Sequence, residues 1–167
     1  MEKRIRFRFG KLGKNPSLNL LEYIEKVLGT NPTDYFKLPL YYICLNDLCI
    51  VHEKSGKIDG VSLIYTGNWI GVLVGDDVYL SPQLYEKIYS RTGYRAAIVV
   101  SEKGIKNFLY GKDVLEESVL KKYPPLDNPV AVIDSYDNRV VGVAIPIRER
   151  RIYKNVYDLG IFLRRLG

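Results

Sequence analysis

The sequence predicts an α+β protein, in which an N-terminal α/β domain with an antiparallel sheet precedes a second strand-rich domain. Three patterns support this prediction. Apolar residues recur at helical spacing over residues 18–28, short apolar runs alternate with turn residues over 39–75, and two further apolar runs flank a polar turn over 128–150. Helices and strands grouped in this way, with short turns between the strands, are typical of an α+β protein.

The composition is that of an ordinary globular protein. With 167 residues, 47% of them hydrophobic and 26% charged, the chain is long enough for one sizeable core or two small ones. No apolar run approaches the roughly 20 residues that span a bilayer, and the N-terminus lacks the apolar core of a signal peptide. We therefore expect a cytoplasmic protein.

The two cysteines, Cys44 and Cys49, lie in a strand-rich apolar segment. A single pair in such a segment is more often buried as free thiols than joined in a disulfide framework, so we expect free thiols. The nearby His52 has no Ser or Cys motif around it, and we expect it to face solvent or to make a structural hydrogen bond. We expect no metal, no other cofactor and no catalytic centre.

The net charge of +6 is concentrated at the two ends of the sequence. Residues 1–14 carry +5, residues 15–89 carry −4, and residues 90–167 carry +5. This distribution favours a polyanionic partner that meets both ends of the sequence. The same charge is equally typical of the Lys/Arg-rich surface of a thermophilic protein, and it leaves both interpretations open.

The N-terminal part begins with a basic strand and a helix. As a strand, residues 4–9 would turn the side chains of Arg4, Arg6 and Arg8 to one face and three apolar side chains to the other. Ser17 is the expected N-cap of the following helix, and Gly29 ends it.

Four apolar runs then predict the strands of an antiparallel sheet, and they read LYYICL, LCIVHE, VSLIYTG and WIGVLVG. Ser81 and Pro82 begin the next helix as its cap and first helical residue, and Gly93 ends it. The predicted boundary follows, with residues 1–92 in the N-terminal α/β domain and residues 93–167 in the second domain. Because no Pro/Gly/Ser-rich linker separates them, we expect the two domains to share an interface.

The second domain is predicted to be built from strands and a closing helix. Three prolines make residues 122–129 a loop, because proline lacks a backbone donor. The strands at 130–134 and 140–147 pair around a polar turn, with Gly142 allowing a close backbone approach. Asp158 stands where it can cap the closing helix.

A dense run of positive charge follows the second of these strands. Arg148, Arg150, Arg151 and Lys154 fall within seven residues, and tyrosines are interleaved with them at 153 and 157. Guanidinium and ammonium groups bind phosphates, and exposed aromatic rings stack on unpaired bases. If this segment stays extended, its even-numbered cations share one face, while Arg151 and Tyr153 point away.

The order of these C-terminal motifs resembles a PUA domain, the small RNA-binding barrel named after pseudouridine synthase and archaeosine transglycosylase. The resemblance rests on the Phe-Leu-Tyr-Gly motif at residues 108–111, on the two apolar strands around a polar turn, and on the closing YDLGIFLRR segment. It implies that residues 93–167 form a PUA-type β-barrel that binds RNA.

Residues 61–119 are also similar to the Nip-seven family of archaeal and eukaryotic ribosome-biogenesis factors. The similarity rests on VSL at residues 61–63, on the helix from Pro82, on the apolar strand at 96–100 and, most strongly, on NFLYGKDVL at 107–115. It implies binding of single-stranded, often U-rich RNA and a role in pre-rRNA processing and large-subunit assembly. In archaea it also implies a link to the RNA-degrading exosome.

We therefore expect a monomeric, non-catalytic RNA-binding protein whose protein partners are ribosome-assembly factors or the exosome. The alternatives are a PUA-containing accessory protein of tRNA or rRNA modification, and an interaction module whose basic ends bind acidic proteins. The expected RNA-binding side chains are Arg148, Arg150, Arg151, Lys154, Tyr153, Lys112, Arg164 and Arg165. The last two also have a purely structural interpretation, because cations at a helix C-terminus interact favourably with the helix dipole.

Overall fold

The computed structural model describes residues 6–53 and 67–166, which form two β-sheets and the helices packed on them. The first sheet is antiparallel throughout and has the order β1-β2-β3-β4-β5. Its strands are β1 (Phe7–Lys11), β2 (Leu40–Leu45), β3 (Leu48–Glu53), β4 (Trp69–Val74) and β5 (Asp77–Leu80). The predicted strand at 61–67 lies outside the described residues except for its last position, as do Arg4 and Ile5.

The second sheet is mixed and curls into a half-barrel. Its strands are β6 (Ala97–Val100), β7 (Val114–Leu115), β8 (Val119–Tyr123), β9 (Val130–Asp134), β10 (Val140–Ile147) and β11 (Ile152–Asp158). They lie in the order β7-β11-β10-β9-β6-β8, and only β6 and β9 run parallel. The helices of the described chain are α1 (Lys14–Glu22), α2 (Pro82–Thr92), α3 (Glu102–Leu109) and α4 (Gly160–Leu166). The α+β prediction is confirmed.

The first helix begins earlier than the sequence pattern predicted. Gly13 is its N-cap, and Ser17 lies inside the helix, where its hydroxyl donates to the Gly13 carbonyl over 2.8 Å. The predicted cap at Ser17 is wrong because Pro16 is tolerated in a first helical turn and does not stop the helix from starting before it. The helix continues as a π-helical turn, Tyr23–Val27, and the chain leaves it at Gly29 with φ +72°.

The second helix follows its sequence signals. The Ser81 hydroxyl accepts a hydrogen bond from the Leu84 amide over 3.1 Å. Pro82 occupies the first turn, where its missing N–H does not matter because that group would have no partner within the helix. Gly93 ends the helix with φ +77°. The helix between Ser81 and Gly93 is therefore confirmed.

The cysteines are joined, contrary to the expectation of free thiols. Cys44 and Cys49 form a disulfide, and they stand directly opposite each other on β2 and β3 with their Cα atoms 4.0 Å apart. The prediction failed because sequence spacing does not fix strand register, and here the tight turn between the strands brings the two side chains face to face. His52 is buried, with its ring centroid 6.2 Å from that of Tyr41, so a solvent-facing position for it is also wrong.

The two sheets share an apolar core, as the missing linker predicted. Successive side chains of β9 alternate between two environments. Ala131 and Ile133 pack with the core of the first sheet, whereas Val130 and Val132 fill the inside of the half-barrel. Burial on both faces explains why this strand is apolar without alternation. The predicted boundary between residues 92 and 93 stays a prediction.

Tyrosine hydroxyls add polar contacts to this shared core. The Tyr23 hydroxyl lies 2.8 Å from that of Tyr85 and donates to the carbonyl of Pro129 over 2.8 Å. The buried Tyr157 of β11 donates its hydroxyl hydrogen to the carbonyl of Leu80 in β5. The half-buried Tyr23, which also contacts Tyr85, and the buried Tyr157 therefore connect the first sheet and its helices to the half-barrel through hydrogen bonds.

Two sequence predictions about the strands of the half-barrel can be compared with the structure. A side chain at Gly142 would collide with the Tyr157 carbonyl of β11, so the predicted close backbone approach is confirmed. The loop predicted at 122–129 begins two residues later, because Lys122 and Tyr123 pair with β6 as the end of β8.

No helix within residues 6–53 and 67–166 combines the length and apolar character needed to cross a membrane.

Candidate nucleic-acid interface

The basic segment after β10 forms a tight turn and not an extended strand. Residues Arg148–Arg150 make a 3₁₀ turn, Arg151 adopts a left-handed conformation with φ +51°, and Ile147 pairs with Ile152 across the closed hairpin. The predicted alternation over 148–154 is therefore wrong, because the chain reverses direction inside it. The turn instead presents three arginines within four residues.

These cations differ in how they are paired. Arg148 forms an ion pair with Asp127, and Nε of Arg151 lies 3.2 Å from Oε2 of Glu116. Arg150 and Lys154 are also exposed, but neither makes an ion pair with another residue in the described ranges. They are the cations of this segment that a phosphate can contact without displacing a carboxylate.

A pocket of about 330 Å³ opens beside the turn. Its polar lining comes from Glu116, Lys122, Arg148 and Arg151. Apolar walls are formed by Leu126, Pro146, Ile147, Ile152 and Tyr153. A concave site with apolar walls and a few polar groups is typical of small-ligand recognition.

Glu116 is the central polar group of this pocket. Its Oε1 lies 2.6 Å from Nζ of Lys122, and its Oε2 accepts from Arg151. The hydrogen bond from Lys122, followed by that from Arg151, lowers the pKa of the Glu116 carboxyl below its ordinary value. The same hydrogen bond to Glu116 raises the pKa of Lys122. The group is therefore a carboxylate flanked by two cations at neutral pH.

The interleaved tyrosines do not provide exposed rings. Tyr153 is 6% exposed and Tyr157 is 1% exposed, because both point from β11 into apolar cores. Tyr153 reaches the candidate interface only as part of the pocket wall, where its hydroxyl contacts Lys122. The expectation of an exposed Tyr153 ring is therefore wrong, and RNA binding by Tyr153 stays a prediction.

An exposed aromatic ring does occur nearby, at Tyr110. This residue ends α3, is 76% exposed, and is followed by Gly111 in a positive-φ turn and by the exposed Lys112. The Asn155 amide donates to the Lys112 carbonyl over 3.3 Å, which places the α3–β7 loop beside β11 next to Lys154. The structure thus brings Lys112 and Lys154 to one region.

Arg164 of the closing helix has a structural contact. Arg164 Nη2 lies 2.8 Å from Oδ2 of the buried Asp158, and its Nη1 donates to the Leu109 carbonyl. Asp158 was predicted to cap this helix, but its carboxylate is occupied by Arg164 and Asn155. The side chain of Arg165 lies outside the described part of the chain. RNA contacts by Arg164 and Arg165 stay a prediction.

Sequence reasoning missed Glu116, Lys122 and Tyr110. Lys122 lies only six residues after Glu116, but Arg151 lies 35 residues after it, and the pairing of β7 with β11 brings the carboxylate to this second cation. The signal for Tyr110 was present in the Phe-Leu-Tyr-Gly motif, because a glycine with positive φ ends the helix and exposes the residue before it.

The basic N-terminal strand is a separate surface. Arg6 and Arg8 are exposed, and the rings of Phe7 and Phe9 are 44% and 61% exposed with centroids 5.6 Å apart. This surface lies at β1, the edge strand of the first sheet, whereas the pocket is formed by the second sheet.

Within the described ranges, no three His, Cys, Asp or Glu side chains group in a way that could hold a metal ion.

Residues 96–167 match the family model of the UPF0113 PUA domain. The match begins just before β6 and contains the half-barrel, the pocket and the basic turn. The C-terminal part of the chain is therefore a PUA domain, a type of domain that generally binds RNA. No curated protein sequence matches the chain.

Solved archaeal structures have a similar fold over nearly the whole chain. A conserved PUA domain protein from Thermoplasma acidophilum is 14% identical with a TM-score of 0.59, and the alignment covers 95% of this chain and 99% of that one. A hypothetical protein from Pyrococcus horikoshii is 12% identical with a TM-score of 0.65, covering 90% and 94%. A PUA domain from Aeropyrum pernix, solved with tartrate, is 17% identical with a TM-score of 0.50, covering 97% and 91%. At these identities the similarity concerns the fold alone.

Proposed function

We propose that this protein is a non-catalytic RNA-binding protein that acts in pre-rRNA processing and large ribosomal subunit assembly. Its PUA domain binds single-stranded, U-rich RNA at the turn between β10 and β11. The observation that carries the proposal is the group of exposed cations at this turn, with Arg150 and Lys154 held in no ion pair to a described residue. Phosphate contacts require such groups, and they position a strand without reading its sequence.

The assembly role is supported by the resemblance of residues 107–115 to the Nip-seven family. The loop within this segment, at Lys112, lies beside β11 next to Lys154. In this role the protein acts as a monomer, with pre-rRNA as its nucleic-acid partner and assembly factors or the exosome as protein partners. The polar groups of the pocket are cations paired with a carboxylate, which suit binding and supply no activated nucleophile.

Binding of a U-rich single-stranded RNA across a salt series tests the RNA surface. The test variant changes Arg148, Arg150, Arg151 and Lys154 together to Ala. The matched control changes four exposed cations elsewhere to Ala, namely Lys26, Lys37, Lys87 and Arg139. We expect the test variant to bind more weakly and its log-log salt slope to shrink by roughly 0.7 for each phosphate that it no longer binds, and the control to change little.

An unchanged affinity and slope in the test variant would move the site to the N-terminal arginines or end the RNA proposal. The cellular role needs a second measurement, the recovery of RNA bound to the tagged protein. Large-subunit precursor RNA is expected. Recovery of tRNA alone would contradict the assembly role and favour an accessory role in tRNA modification, and negligible affinity at moderate salt would favour binding of acidic proteins.

A further inference from the structure

We propose that the pocket beside the β10–β11 turn selects a nucleobase in which a ring N–H lies next to a carbonyl, as in uracil and guanine. It disfavours cytosine and adenine, and Glu116 and Lys122 determine this choice. The inference rests on the proposed function, because it assumes that RNA meets the PUA domain at this turn.

The polar wall of the pocket alternates donors with an acceptor. The Lys122 ammonium lies 2.6 Å from one carboxylate oxygen of Glu116, and the Arg151 guanidinium lies 3.2 Å from the other. Each oxygen therefore accepts one hydrogen bond from a cation, which holds the carboxylate in place before any ligand arrives. The resulting order is ammonium, carboxylate, guanidinium.

All three groups keep capacity for a ligand. An ammonium has three N–H donors, a guanidinium has five, and a carboxylate offers about four lone-pair sites. Lys122 directs one donor to Glu116 and contacts the Tyr153 hydroxyl, and Arg151 uses its Nε on Glu116. The Lys122 and Glu116 side chains are 39% and 34% exposed, so a ligand in the pocket can reach both.

The carboxylate makes this pocket a poor phosphate site. A phosphate placed between Lys122 and Arg151 would also meet the negative charge of Glu116, and like charges at short range repel. Arg150 and Lys154 provide positive charge outside the pocket for the RNA backbone. The apolar walls, which include Leu126 and Pro146, suit the faces of a flat base.

The base edges then differ in how they fit. Uracil presents its N3–H between two carbonyls, and guanine presents its N1–H beside O6. In both, the N–H donates to Glu116 and a neighbouring carbonyl accepts from Lys122 or Arg151. Cytosine and adenine carry a ring-nitrogen lone pair at that position, which would face the carboxylate. Unpaired bases are commonly read on this edge by protein side chains.

The direct test uses the wild-type protein and eight-nucleotide RNA strands that are all adenosine except at one position. That position is uridine, guanosine or cytidine. We expect uridine, guanosine or both to bind about tenfold more tightly than cytidine, which is within the range of a good bidentate base contact. N3-methyluridine and N1-methylguanosine lack the N–H, so whichever methylation abolishes the preference identifies the base that the pocket takes.

A protein variant checks that Glu116 is responsible. Glutamine offers both a donor and an acceptor, so Glu116→Gln is expected to reduce the preference to below about twofold. Because the change also removes the negative charge that pairs Lys122 and Arg151, the salt slope should steepen and RNA binding should not be lost. The matched control is Glu86→Gln, which changes the ion pair of the half-buried Glu86 with the exposed Arg139. That pair lies at the other end of β10, roughly 25 Å away, and the control should keep the preference.

Equal binding of the strands, or equal binding of methylated and unmethylated bases, would overturn the inference. If RNA binding and its salt slope persist in that case, the proposed function stands without base selection. An absence of RNA binding by the wild-type protein at moderate salt would instead end both proposals. Should Glu116→Gln fail to fold, as judged by circular dichroism, the methylated strands with wild-type protein still decide the question.

Discussion

The buried carboxylate of Asp158 at the end of β11 is clamped by the guanidinium of Arg164 in α4. Oδ2 lies 2.8 Å from Nη2, and Oδ1 lies 3.1 Å from Nη1. Asp158 is 1% exposed, and its other side-chain partner is the amide of Asn155 at 3.0 Å. This bidentate pair holds the closing helix of the PUA domain against its last strand, and hydrogen bonding to Asp158 raises the pKa of Arg164.

Arg164→Ala should lower the free energy of unfolding by about 3 kcal/mol, because it leaves a buried carboxylate without its cation. Urea denaturation measures the change. Arg139→Ala is the control, since the Arg139 side chain is 68% exposed and the half-buried Glu86 keeps its hydrogen bond from the Val140 amide, so this loss should cost less than about 1 kcal/mol. Equal, small decreases in the two variants would show that the Asp158 pair is not structural.

Asp127→Asn should strengthen RNA binding, because Asp127 neutralises Arg148 at the rim of the pocket. One freed cation adds about one phosphate contact, so the salt slope should steepen by roughly 0.7. Salt titrations of the variant and of Asp137→Asn, in the turn at the far end of β9 and β10, make the comparison. An unchanged slope in both would place Arg148 outside the RNA path.

Tyr110→Ala should weaken binding of single-stranded RNA without a decrease in stability, because the ring is 76% exposed. A base stacked on such a ring contributes roughly 1 to 3 kcal/mol. The control is Tyr136→Ala, whose ring is 85% exposed in the turn between β9 and β10. If the two variants bind RNA equally well, Tyr110 does not stack on a base.

The Cys44–Cys49 disulfide should be detectable chemically and should contribute modestly to stability. The two cysteines are five residues apart, and closing so short a loop stabilises a protein by about 2 kcal/mol in the chain-entropy treatment. The double change to Ala should therefore lower the free energy of unfolding by about that amount. Thiol titration of the denatured, unreduced protein is expected to find no free thiol, and two reactive thiols would refute the bond.

Alkaline pH should destabilise the protein through its buried tyrosines. Burial raises the pKa of Tyr85, Tyr89 and Tyr157 well above the ordinary value of 10.0, and it also raises that of Tyr23. Stability from a neutral buried phenol is fully present below the unfolded pKa and is lost as the pH rises through the folded pKa. The free energy of unfolding should thus fall progressively above about pH 10.

Ultraviolet absorbance at alkaline pH follows phenolate formation alongside circular dichroism. The four tyrosines with raised pKa values, Tyr23, Tyr85, Tyr89 and Tyr157, should ionise together with unfolding. Complete ionisation of all tyrosines in a folded protein would contradict the hydrogen-bonded burial of Tyr23, Tyr85 and Tyr157.

The sequence by itself determined the elements whose signals are local. The helix from Pro82 to Thr92 follows from a serine cap, a first-turn proline and a terminal glycine, because capping hydrogen bonds join residues only a few positions apart. The strand bounds of β2 and β3 match their apolar runs, and the cluster of cations after β10 was visible as charge. The PUA assignment likewise followed from the order of short motifs.

Tertiary structure decided which residues meet. The register of β2 and β3 places Cys44 opposite Cys49. The chain reverses direction at Arg148–Arg150, so the cations predicted to share one face of a strand lie in a turn instead. The side chain of Tyr153 points into the apolar core inside the half-barrel and is therefore buried. The contact of Glu116 with Arg151 joins residues 35 positions apart across the pairing of β7 with β11. Such contacts depend on register and on packing between distant segments, which no local pattern of residues encodes.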